Sequence, residues 1–469
     1  MSKRKIREIA RTQFGYDELR PGQEEAIASV LEGRDTLVVQ PTGAGKSAIY
    51  QIAGLLLEGP TLVISPLIAL QKDQVDAIAG KGVAEAAAVN STAPVGEVRE
   101  TMEKLEDGNL EYLFLAPEQL RKEETQQRLR EVKPSLVVVD EAHCVSDWGH
   151  DFRPDYLTIG STVEALGHPT VLALTATAAP RVREEIACRL AMRDPHVIVK
   201  GLDRPNLWLA VRAFERQDEK QDAIFEAVMN APKPGIVYTA TRKHAEEIAG
   251  LLAERDVNVR LYHGGMNAKK RHEIQDAWMA GSVDVIVATN AFGMGVDKPD
   301  VRFVYHYDPS DSLDAYYQEI GRAGRDGERS DAVLFYWRRD INVHKFFNAG
   351  GGIAEHDLRR IADAVQASEE APAPDRLAEE LNLSKRKVTL ALTRLEEQRA
   401  DTPEEAARRA YEAIEQRRQT EAEQLEKMQA YAELGSCRRE FLLRHFGEPF
   451  EAPCRFCDAC KLREEVSPP

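Results

Sequence analysis

The sequence QPTGAGKS occupies residues 40–47 and directly follows a run of apolar, β-branched residues. Gly43 and Gly45 allow the backbone to curl so that its N–H groups face a phosphate. Lys46 then places a cation where the β- and γ-phosphates of a nucleotide would lie, and Ser47 can ligate Mg²⁺. On its own, the segment is also compatible with a glycine-rich turn that carries a surface lysine.

A second segment favours a phosphate-binding loop over a simple glycine-rich turn. LVVVD at residues 136–140 is typical of a buried strand, and it continues into EAH to complete an Asp-Glu-Ala-His box. Asp140 supplies the carboxylate that a Mg²⁺–nucleotide site needs, and Glu141 is placed to orient or deprotonate an attacking water. Gln40 stands where the phosphate-binding pattern commonly begins with glycine, which loosens the match of the loop alone. Together the two segments predict nucleotide hydrolysis.

Composition sets outer limits on the class of protein. The chain has 469 residues, 43% hydrophobic and 30% charged, which is room for two or three domains of an ordinary water-soluble protein. No apolar run approaches membrane-spanning length, and the basic N-terminus is not followed by the apolar region of a secretory signal. We therefore expect a cytoplasmic protein. The formal net charge of −16 argues against a generally basic nucleic-acid coat but not against a local cationic groove.

The periodicity predicts two tandem α/β domains. Short β-branched runs alternate with amphipathic helices in two successive series, which is the pattern of parallel sheets with right-handed crossovers. Lys46 and Asp140 fall at the carboxyl ends of predicted strands, where phosphate sites lie in such sheets. A linker is predicted near 201–216, where GLDRPN is turn-like. The predicted strands are 36–40, 61–66, 112–116, 136–140, 171–176 and 197–200 in the first series, and 235–240, 259–264, 284–289, 302–307 and 332–337 in the second.

Two such domains with one phosphate loop imply that the nucleotide is bound between them. The second domain should then supply a cation in trans. IGRAGRDG at 320–327 offers Arg322 and Arg325, preceded by Gln318, and arginines there can stabilise charge on a transferring phosphoryl group. Each arginine alone could equally form a surface salt bridge, but two Gly-Arg repeats after an aromatic-rich helix start favour the cleft.

These segments resemble the motifs of superfamily 2 helicases, and specifically the RecQ family. The resemblance covers roughly residues 8–345 and implies two RecA-like domains. The segments that carry it are FGYDELRPGQEEAI (14–27), VISPLIALQKDQV (63–75), FLAPEQL (114–120), LALTATA (172–178), YHGGMNAKKR (262–271), ATNAFGMGVDKPDVRFVYHYDPS (288–310) and YYQEIGRAGRDG (316–327).

The resemblance implies an ATP-dependent DNA helicase of 3′→5′ polarity that uses Mg²⁺ and ATP. Tyr16 would stack on adenine while Arg20 and Gln23 read its edge. Its expected partners are single-stranded DNA and duplexes with single-stranded tails, together with a single-strand-binding protein or repair proteins; a monomer and no membrane are expected. The implied nucleotide-binding residues are Tyr16, Arg20, Gln23, Thr42, Gly43, Gly45, Lys46 and Ser47, and the implied catalytic residues are Lys46, Asp140, Glu141, Gln318, Arg322 and Arg325.

Other functions stay open at this point. A translocase could move on DNA without separating strands, and a DNA-binding scaffold could carry a vestigial ATPase. An RNA helicase is disfavoured by the two features described next, both of which are similar to the DNA-directed family. DNA-stimulated ATP turnover would separate the scaffold from the enzymes.

CVSDWGHDFRPDY at 144–156 resembles the aromatic-rich loop of RecQ helicases. Trp148, Phe152 and Tyr156 are too many aromatic residues for a solvated loop, and His150 and Arg153 lie between them. Aromatic rings stack on bases, and arginine adds cation–π and phosphate contacts. The expected role is to couple contact with a single strand to hydrolysis; a packed mini-core beneath the loop is the alternative.

Four of the six cysteines cluster near the C-terminus in the pattern C-x16-C-x2-C-x2-C. Cys437, Cys454, Cys457 and Cys460 can form a tetrahedral thiolate shell for structural Zn²⁺, and their flanks resemble the RecQ zinc-binding subdomain. Disulfides are the alternative, which a cytoplasmic ATPase disfavours. Residues 403–435 should form one or two long helices that the zinc holds to the second α/β domain. Cys144 and Cys188 are isolated and are expected to be buried.

Residues 350–402 depart from the family layout. GGG at 350–352 is typical of a hinge, 354–366 predicts a helix, and 375–398 predicts a helix–turn–helix with Ser384 as N-cap, similar to winged-helix DNA-binding modules. No hairpin wing follows, so a structural or protein-binding insert is the alternative. The winged helix and HRDC domain of many relatives are not found after Cys460. The expected domains are 1–205, 206–349, 350–402 and 403–469, and the expected DNA-binding residues are Trp148, His150, Phe152, Arg153, Lys385, Arg386 and Lys387.

Overall fold

The structure is a computed structural model. It describes residues 3–66, 68–91, 93–146, 151–293, 296–349, 352–368, 372–398, 400 and 402–466. Trp148 and His150 therefore lie outside the described residues, and the side chain of Arg386 is not described.

The first α/β domain is built on a seven-stranded parallel sheet of order β3-β4-β2-β5-β6-β1-β7. Its central strands are fully buried because helices cover both faces, which explains their uninterrupted β-branched sequences. The strands are β1 (Thr36–Val39), β2 (Thr61–Ile64), β3 (Ala86–Val89), β4 (Tyr112–Leu115), β5 (Leu136–Val139), β6 (Thr170–Thr175) and β7 (His196–Val199). The helices are α1 (Lys3–Phe14), α2 (Gln23–Leu31), α3 (Ser47–Gly54), α4 (Ile68–Lys81), α5 (Val95–Glu106), α6 (Glu123–Val132), α7 (Thr158–Ala165) and α8 (Pro180–Arg189).

The second domain repeats the architecture with a six-stranded parallel sheet of order β10-β11-β9-β12-β13-β8. Its strands are β8 (Leu207–Phe214), β9 (Gly235–Tyr238), β10 (Val259–Tyr262), β11 (Val285–Ala288), β12 (Phe303–His306) and β13 (Ser330–Trp337). Its helices are α9 (Gln217–Asn230), α10 (Arg242–Ala253), α11 (Ala268–Met279) and α12 (Leu313–Ile320).

The rest of the described chain is helical. Helices α14 to α16 and the first half of the long helix α17 share a small core of their own, and the second half of α17 joins the core of the second domain. The helices are α13 (Ile341–Ala349), α14 (Glu355–Gln366), α15 (Pro374–Leu381), α16 (Lys385–Glu397), α17 (Pro403–Ala432), α18 (Arg438–His445) and α19 (Asp458–Val466), and short 3₁₀ helices occupy Pro117–Arg121, Ala142–Val145, Pro154–Leu157 and Arg338–Asp340. No helix in the described residues has the length and apolar character needed to cross a membrane.

These findings confirm the predicted fold of two parallel-sheet domains followed by helical modules. The helix–turn–helix is present, and the Ser384 hydroxyl accepts a hydrogen bond from the backbone N–H of Lys387, as an N-cap should. Residues 403–435, predicted to form one or two long helices, contain the single long helix α17 (Pro403–Ala432), which confirms that prediction.

Two predictions were wrong. The predicted linker at 201–216 contains the edge strand β8, which pairs with all eight residues of β13, so only residues 201–206 connect the domains. The turn signal of GLDRPN was correct, but the strand begins immediately after it. Cys188, expected to be buried, is exposed because it lies on the outer face of α8, whereas Cys144 is buried. Strand β3, with the sequence AAAV, was not predicted because alanine carries little strand signal.

Candidate active site

The phosphate loop has the backbone geometry that its glycines predict. Gly43 and Gly45 adopt left-handed φ angles of 80° and 75°, and Ser47 begins α3 directly after the loop. A β-carbon on Gly43 would lie 3.3 Å from Cδ of Arg325, and one on Gly45 would lie 3.0 Å from Nε2 of Gln23. Side chains therefore crowd the loop from both sides, and a residue with a β-carbon at either position would displace Arg325 or Gln23.

Lys46, Asp140 and Glu141 meet at the carboxyl ends of β1 and β5. Nζ of Lys46 donates to the Gln40 carbonyl at 3.1 Å, and loss of solvent lowers the pKa of Lys46 although Glu141 and Asp140 act against that shift. Desolvation, followed by the charge of Glu141, raises the pKa of Asp140 to about 7. Two adjacent carboxyl groups with this little solvent suit a divalent cation, so Asp140 and the Ser47 hydroxyl fit the predicted Mg²⁺ site.

Glu141 is held in an unusual backbone conformation. Its φ is 49°, and its N–H donates to Oδ1 of Asp140 at 3.0 Å. Oε2 of Glu141 is buried and has no hydrogen-bond partner within the described residues. Nδ1 of His143 lies 3.4 Å from this oxygen, so His143 holds Glu141 in place beside Asp140, and the carboxylate fits the predicted role of orienting a water molecule.

His143 and Thr175 extend this site, and the sequence analysis assigned them no role. His143 is fully buried, and its Nδ1 lies 2.9 Å from Oγ1 of Thr175, which donates to the Thr177 carbonyl at 3.0 Å. The contact ties the end of the Asp-Glu-Ala-His box to the end of β6. Thr175 lies in the segment LALTATA, and no spacing in the sequence indicates that it pairs with His143.

Arg325 reaches the phosphate loop from the second domain. Its side chain is 5% exposed, pairs with Asp297 at 2.5 Å and donates to the Val296 carbonyl at 3.0 Å. Its Nε and Nη2 atoms are buried without hydrogen-bond partners in the described chain. Its Nε lies 3.7 Å from the position that a β-carbon on Gly43 would occupy, so this donor is beside the phosphate loop.

Arg322 and Gln318 lie further along the same interdomain space. Arg322 is buried, and its Nη1 donates to the Gly293 carbonyl at 2.6 Å. Both residues line a cleft of about 730 Å³ at the carboxyl ends of β9 to β12, and Asp151 of the first domain lines it too. The structure thus brings Arg325 to the phosphate loop, whereas Arg322 contacts backbone of its own domain.

The residues expected at adenine lie beside the loop. Tyr16 stacks on Phe14 with ring centroids 6.0 Å apart, and Nζ of Lys81 lies 4.8 Å from the Tyr16 ring centroid. Nη1 of Arg20 donates to the Gly43 carbonyl. Nε2 of Gln23 donates to the Gly45 carbonyl at 2.8 Å, so in this structure Arg20 and Gln23 hold the loop itself. Thr42 is partly exposed within the loop.

The described part of the aromatic-rich loop is anchored to the catalytic strand. Tyr156 is fully buried, and its hydroxyl donates to the Asp140 carbonyl at 3.0 Å. Arg153 donates to Asp151 at 3.1 Å and to the Pro66 carbonyl at 3.3 Å, so its guanidinium braces the loop. Phe152 is partly exposed.

The four C-terminal cysteines converge as predicted. The sulfur atoms of Cys437, Cys454, Cys457 and Cys460 lie within 4.8 Å of one another, and those of Cys454 and Cys460 are 3.9 Å apart. A tetrahedron with Zn–S bonds of about 2.3 Å requires sulfur separations of about 3.8 Å. The hydrogen bond between the Cys454 and Cys457 thiols lowers the pKa of Cys457 to about 5 and raises the pKa of Cys454. The site fits structural zinc, and all four ligands come from the protein.

The basic side chains at the start of α16 are less available to DNA than the sequence predicts. Nζ of Lys385 is paired with Asp375 at 2.8 Å, while Lys387 is partly buried. The insert as a whole carries eight Lys and Arg residues against eleven Asp and Glu.

The matches to protein families cover each module except most of the insert. Residues 20–186 match the DEAD/DEAH box helicase family, 219–327 match the helicase conserved C-terminal domain, and 393–461 match the RecQ zinc-binding family. The chain is 39% identical to the probable ATP-dependent DNA helicase RecS of Bacillus subtilis, over 76% of this chain and 72% of that protein.

Two further relatives are longer than this chain. It is 36% identical to the ATP-dependent DNA helicase RecQ of Pasteurella multocida, over 97% of this chain and 62% of that protein. It is 43% identical to RecQ of Bacillus subtilis, over 71% of this chain and 56% of that protein.

Solved structures share the fold at low identity. The helicase MrfA bound to DNA matches 73% of this chain and 53% of its own with a TM-score of 0.60 at 19% identity. The Mycobacterium smegmatis helicase Lhr, bound to single-stranded DNA and AMP-PNP, matches 84% of this chain and 57% of its own with a TM-score of 0.56 at 21% identity.

Proposed function

The chain belongs to the RecQ helicase family, and on that premise we propose that it is an ATP-dependent DNA helicase that moves 3′→5′ along single-stranded DNA and separates duplex or branched DNA. The observation that carries the proposal is the position of Arg325. A buried arginine of the second domain packs on the phosphate loop of the first, and two of its donors have no hydrogen-bond partner within the described residues. A DNA-binding scaffold that does not hydrolyse ATP would not require an arginine at the phosphate loop.

Each residue of the site has a role in hydrolysis on this proposal. Lys46 binds the β- and γ-phosphates, Ser47 and Asp140 hold Mg²⁺, and Glu141 orients the attacking water. The metal neutralises charge on the phosphate oxygens when it is bound. Arg325 stabilises the charge that develops on the transferring phosphoryl group, and it can do so only when the two domains are closed.

Closure and reopening of the cleft would move the two domains along a single strand. The aromatic-rich loop is attached to the Asp140 strand through Tyr156, so contact with DNA has a short path to the catalytic acids. We further propose that the protein acts as a monomer in the cytoplasm, in recombination or repair of DNA that carries single-stranded tails.

Strand separation on matched duplexes tests this function. Substrates with a 3′ tail, a 5′ tail or no tail should be incubated with ATP and Mg²⁺. Unwinding from the 3′ tail alone is expected. ATP turnover without unwinding on any substrate would instead identify a translocase or remodeller.

Lys46→Ala is the matched control for the site. The substitution removes the cation that binds the phosphates, so DNA-stimulated turnover should fall by at least about 100-fold. Affinity for single-stranded DNA, measured by fluorescence anisotropy, should change by less than about twofold because Lys46 lies in the nucleotide site. Turnover that persists in this variant would show that the nucleotide site is wrongly assigned.

A further inference from the structure

Phe152 of the aromatic-rich loop is held by two arginines from outside its own domain. The guanidinium carbon of Arg417, on α17, lies 5.2 Å from the Phe152 ring centroid, and that of Arg394, on α16, lies 5.9 Å from it. Both distances are within the range of cation–π contacts. The loop of the first domain therefore touches the helical insert directly.

The insert is packed onto the second domain through the long helix α17. Its core is completed by Ala407, Ala410 and Ile414 from the first half of α17. The second half of α17 contributes Met428 and Tyr431 to the core of the second domain. One continuous helix thus connects Arg417, which contacts Phe152, to the core of the second domain.

The loop connects in the other direction to the catalytic acids. Phe152 is four residues from Tyr156, whose hydroxyl donates to the Asp140 carbonyl at 3.0 Å. On the other side of Phe152, Asp151 accepts from the Cys144 thiol at 3.7 Å, next to the box. Two hydrogen bonds, one on each side of Phe152, therefore connect this part of the loop to the segment that carries Asp140 and Glu141.

Charge argues against the insert as a reader of duplex DNA. It carries more acidic than basic residues, and Lys385, at the start of its second helix, is already paired with Asp375. DNA-binding modules depend on unpaired basic side chains for most of their affinity. Arg394, in the last turn of α16, lies against Phe152 of the first domain.

We propose that Arg394 of the insert and Arg417 of α17 are positioning residues that hold the aromatic-rich loop through Phe152, so that the insert and α17 together link movement of the second domain to the catalytic acids of the first. The inference rests on the proposed function for its kinetic readout. The insert thereby acts on the loop and not on the DNA.

The first test measures ATP turnover against the concentration of single-stranded oligothymidine. In the double variant Arg394→Ala/Arg417→Ala, the maximal DNA-stimulated kcat should fall about tenfold, while the KM for ATP and the Kd for DNA stay within about twofold. Arg394→Lys/Arg417→Lys keeps both cations and should retain most of the stimulation. Arg408→Ala, an exposed arginine of α17 paired with Glu412, is the control and should behave as wild type. In a Phe152→Leu background the arginine substitutions should add nothing.

The second test does not require turnover. Hydrogen exchange of a peptide spanning residues 151–157, without DNA or ATP, should be faster in the double alanine variant and unchanged in Arg408→Ala. Unchanged exchange in the double variant would overturn the proposal even if the wild type hydrolyses no ATP. The proposal would also be overturned if DNA stimulated the double alanine variant as strongly as the wild type. If the double alanine variant lost affinity for duplex DNA while its kcat stayed unchanged, the insert would instead be a DNA-binding element. Absence of turnover in the wild type would count against the proposed function alone.

Discussion

The carboxyl group of Asp140 has a pKa raised to about 7, first by desolvation and then by the charge of Glu141. Below that pH the group is a neutral acid in the nucleotide-free protein, and a metal ion must displace its proton in order to bind. We therefore expect the apparent affinity for Mg²⁺ to fall about tenfold per pH unit below about 7 and to level off above it. Calorimetric titration with Mg²⁺ across this range measures the effect directly.

Glu141→Gln supplies the internal control for that prediction. It removes the neighbouring charge, so the pKa of Asp140 falls and the loss of Mg²⁺ affinity moves to lower pH. Affinity that does not depend on pH in the wild-type protein would contradict the assignment of Asp140 as a ligand.

A separate prediction concerns Arg325, which reaches from the second domain to the phosphate loop of the first. Arg325→Ala should lower DNA-stimulated kcat by about 1,000-fold while the KM for ATP changes little, since the arginine acts on charge that develops during transfer. Lysine presents a single compact cation on a flexible stem, so Arg325→Lys should not restore the rate. Arg329→Ala, an exposed residue only four positions away, is the control. A kcat within tenfold of wild type for Arg325→Ala would remove this residue from the catalytic machinery.

At the scale of helices and strands, the sequence predicted those elements whose signature lies within a short run of consecutive residues. Buried parallel strands such as β5 are uninterrupted β-branched runs, and the phosphate loop requires glycine at fixed positions. Strand β3 was missed because its alanines have no such signature. The contact of Phe152 with Arg394 and Arg417 joins residues more than 200 positions apart, and no local pattern encodes it.

The zinc cluster gives a prediction for the C-terminal helices. Cys457 pairs with Leu209 in an isolated β-bridge, and the Asp458 carboxylate accepts from the Val211 N–H at 2.8 Å, so the cluster fixes α19 to β8. Cys454→Ser should lower zinc affinity by more than about 100-fold and make residues after α17 sensitive to protease. Cys188→Ser, at an exposed cysteine far from the cluster in sequence, should do neither. Metal content close to one zinc per chain in Cys454→Ser would contradict this ligand assignment.

Over the whole molecule, the zinc-binding subdomain fastens the two α/β domains to each other as well as stabilising the second. Phe446 is fully buried in the core of the first domain and lies 4.7 Å from Tyr317 of the second, measured between ring centroids. Arg439 pairs with Asp203 at 2.5 Å, and Glu448 accepts from the Leu202 N–H at 2.9 Å, so the same subdomain also holds the connecting segment. The relative position of Lys46 and Arg325 therefore depends on it.

Phe446→Ala should uncouple the domains. Truncating a buried phenylalanine costs about 3–5 kcal/mol, and here that loss falls at the junction. Calorimetry should show two separated unfolding transitions where the wild type shows one, and DNA-stimulated turnover should fall because Arg325 is no longer held at the loop. Phe225→Ala removes a comparable side chain from the second domain alone, so it should lower the unfolding temperature of that domain without weakening the junction. A single transition in Phe446→Ala, shifted no further than in Phe225→Ala, would show that the domains are coupled elsewhere, through the connecting segment or the contact at Phe152.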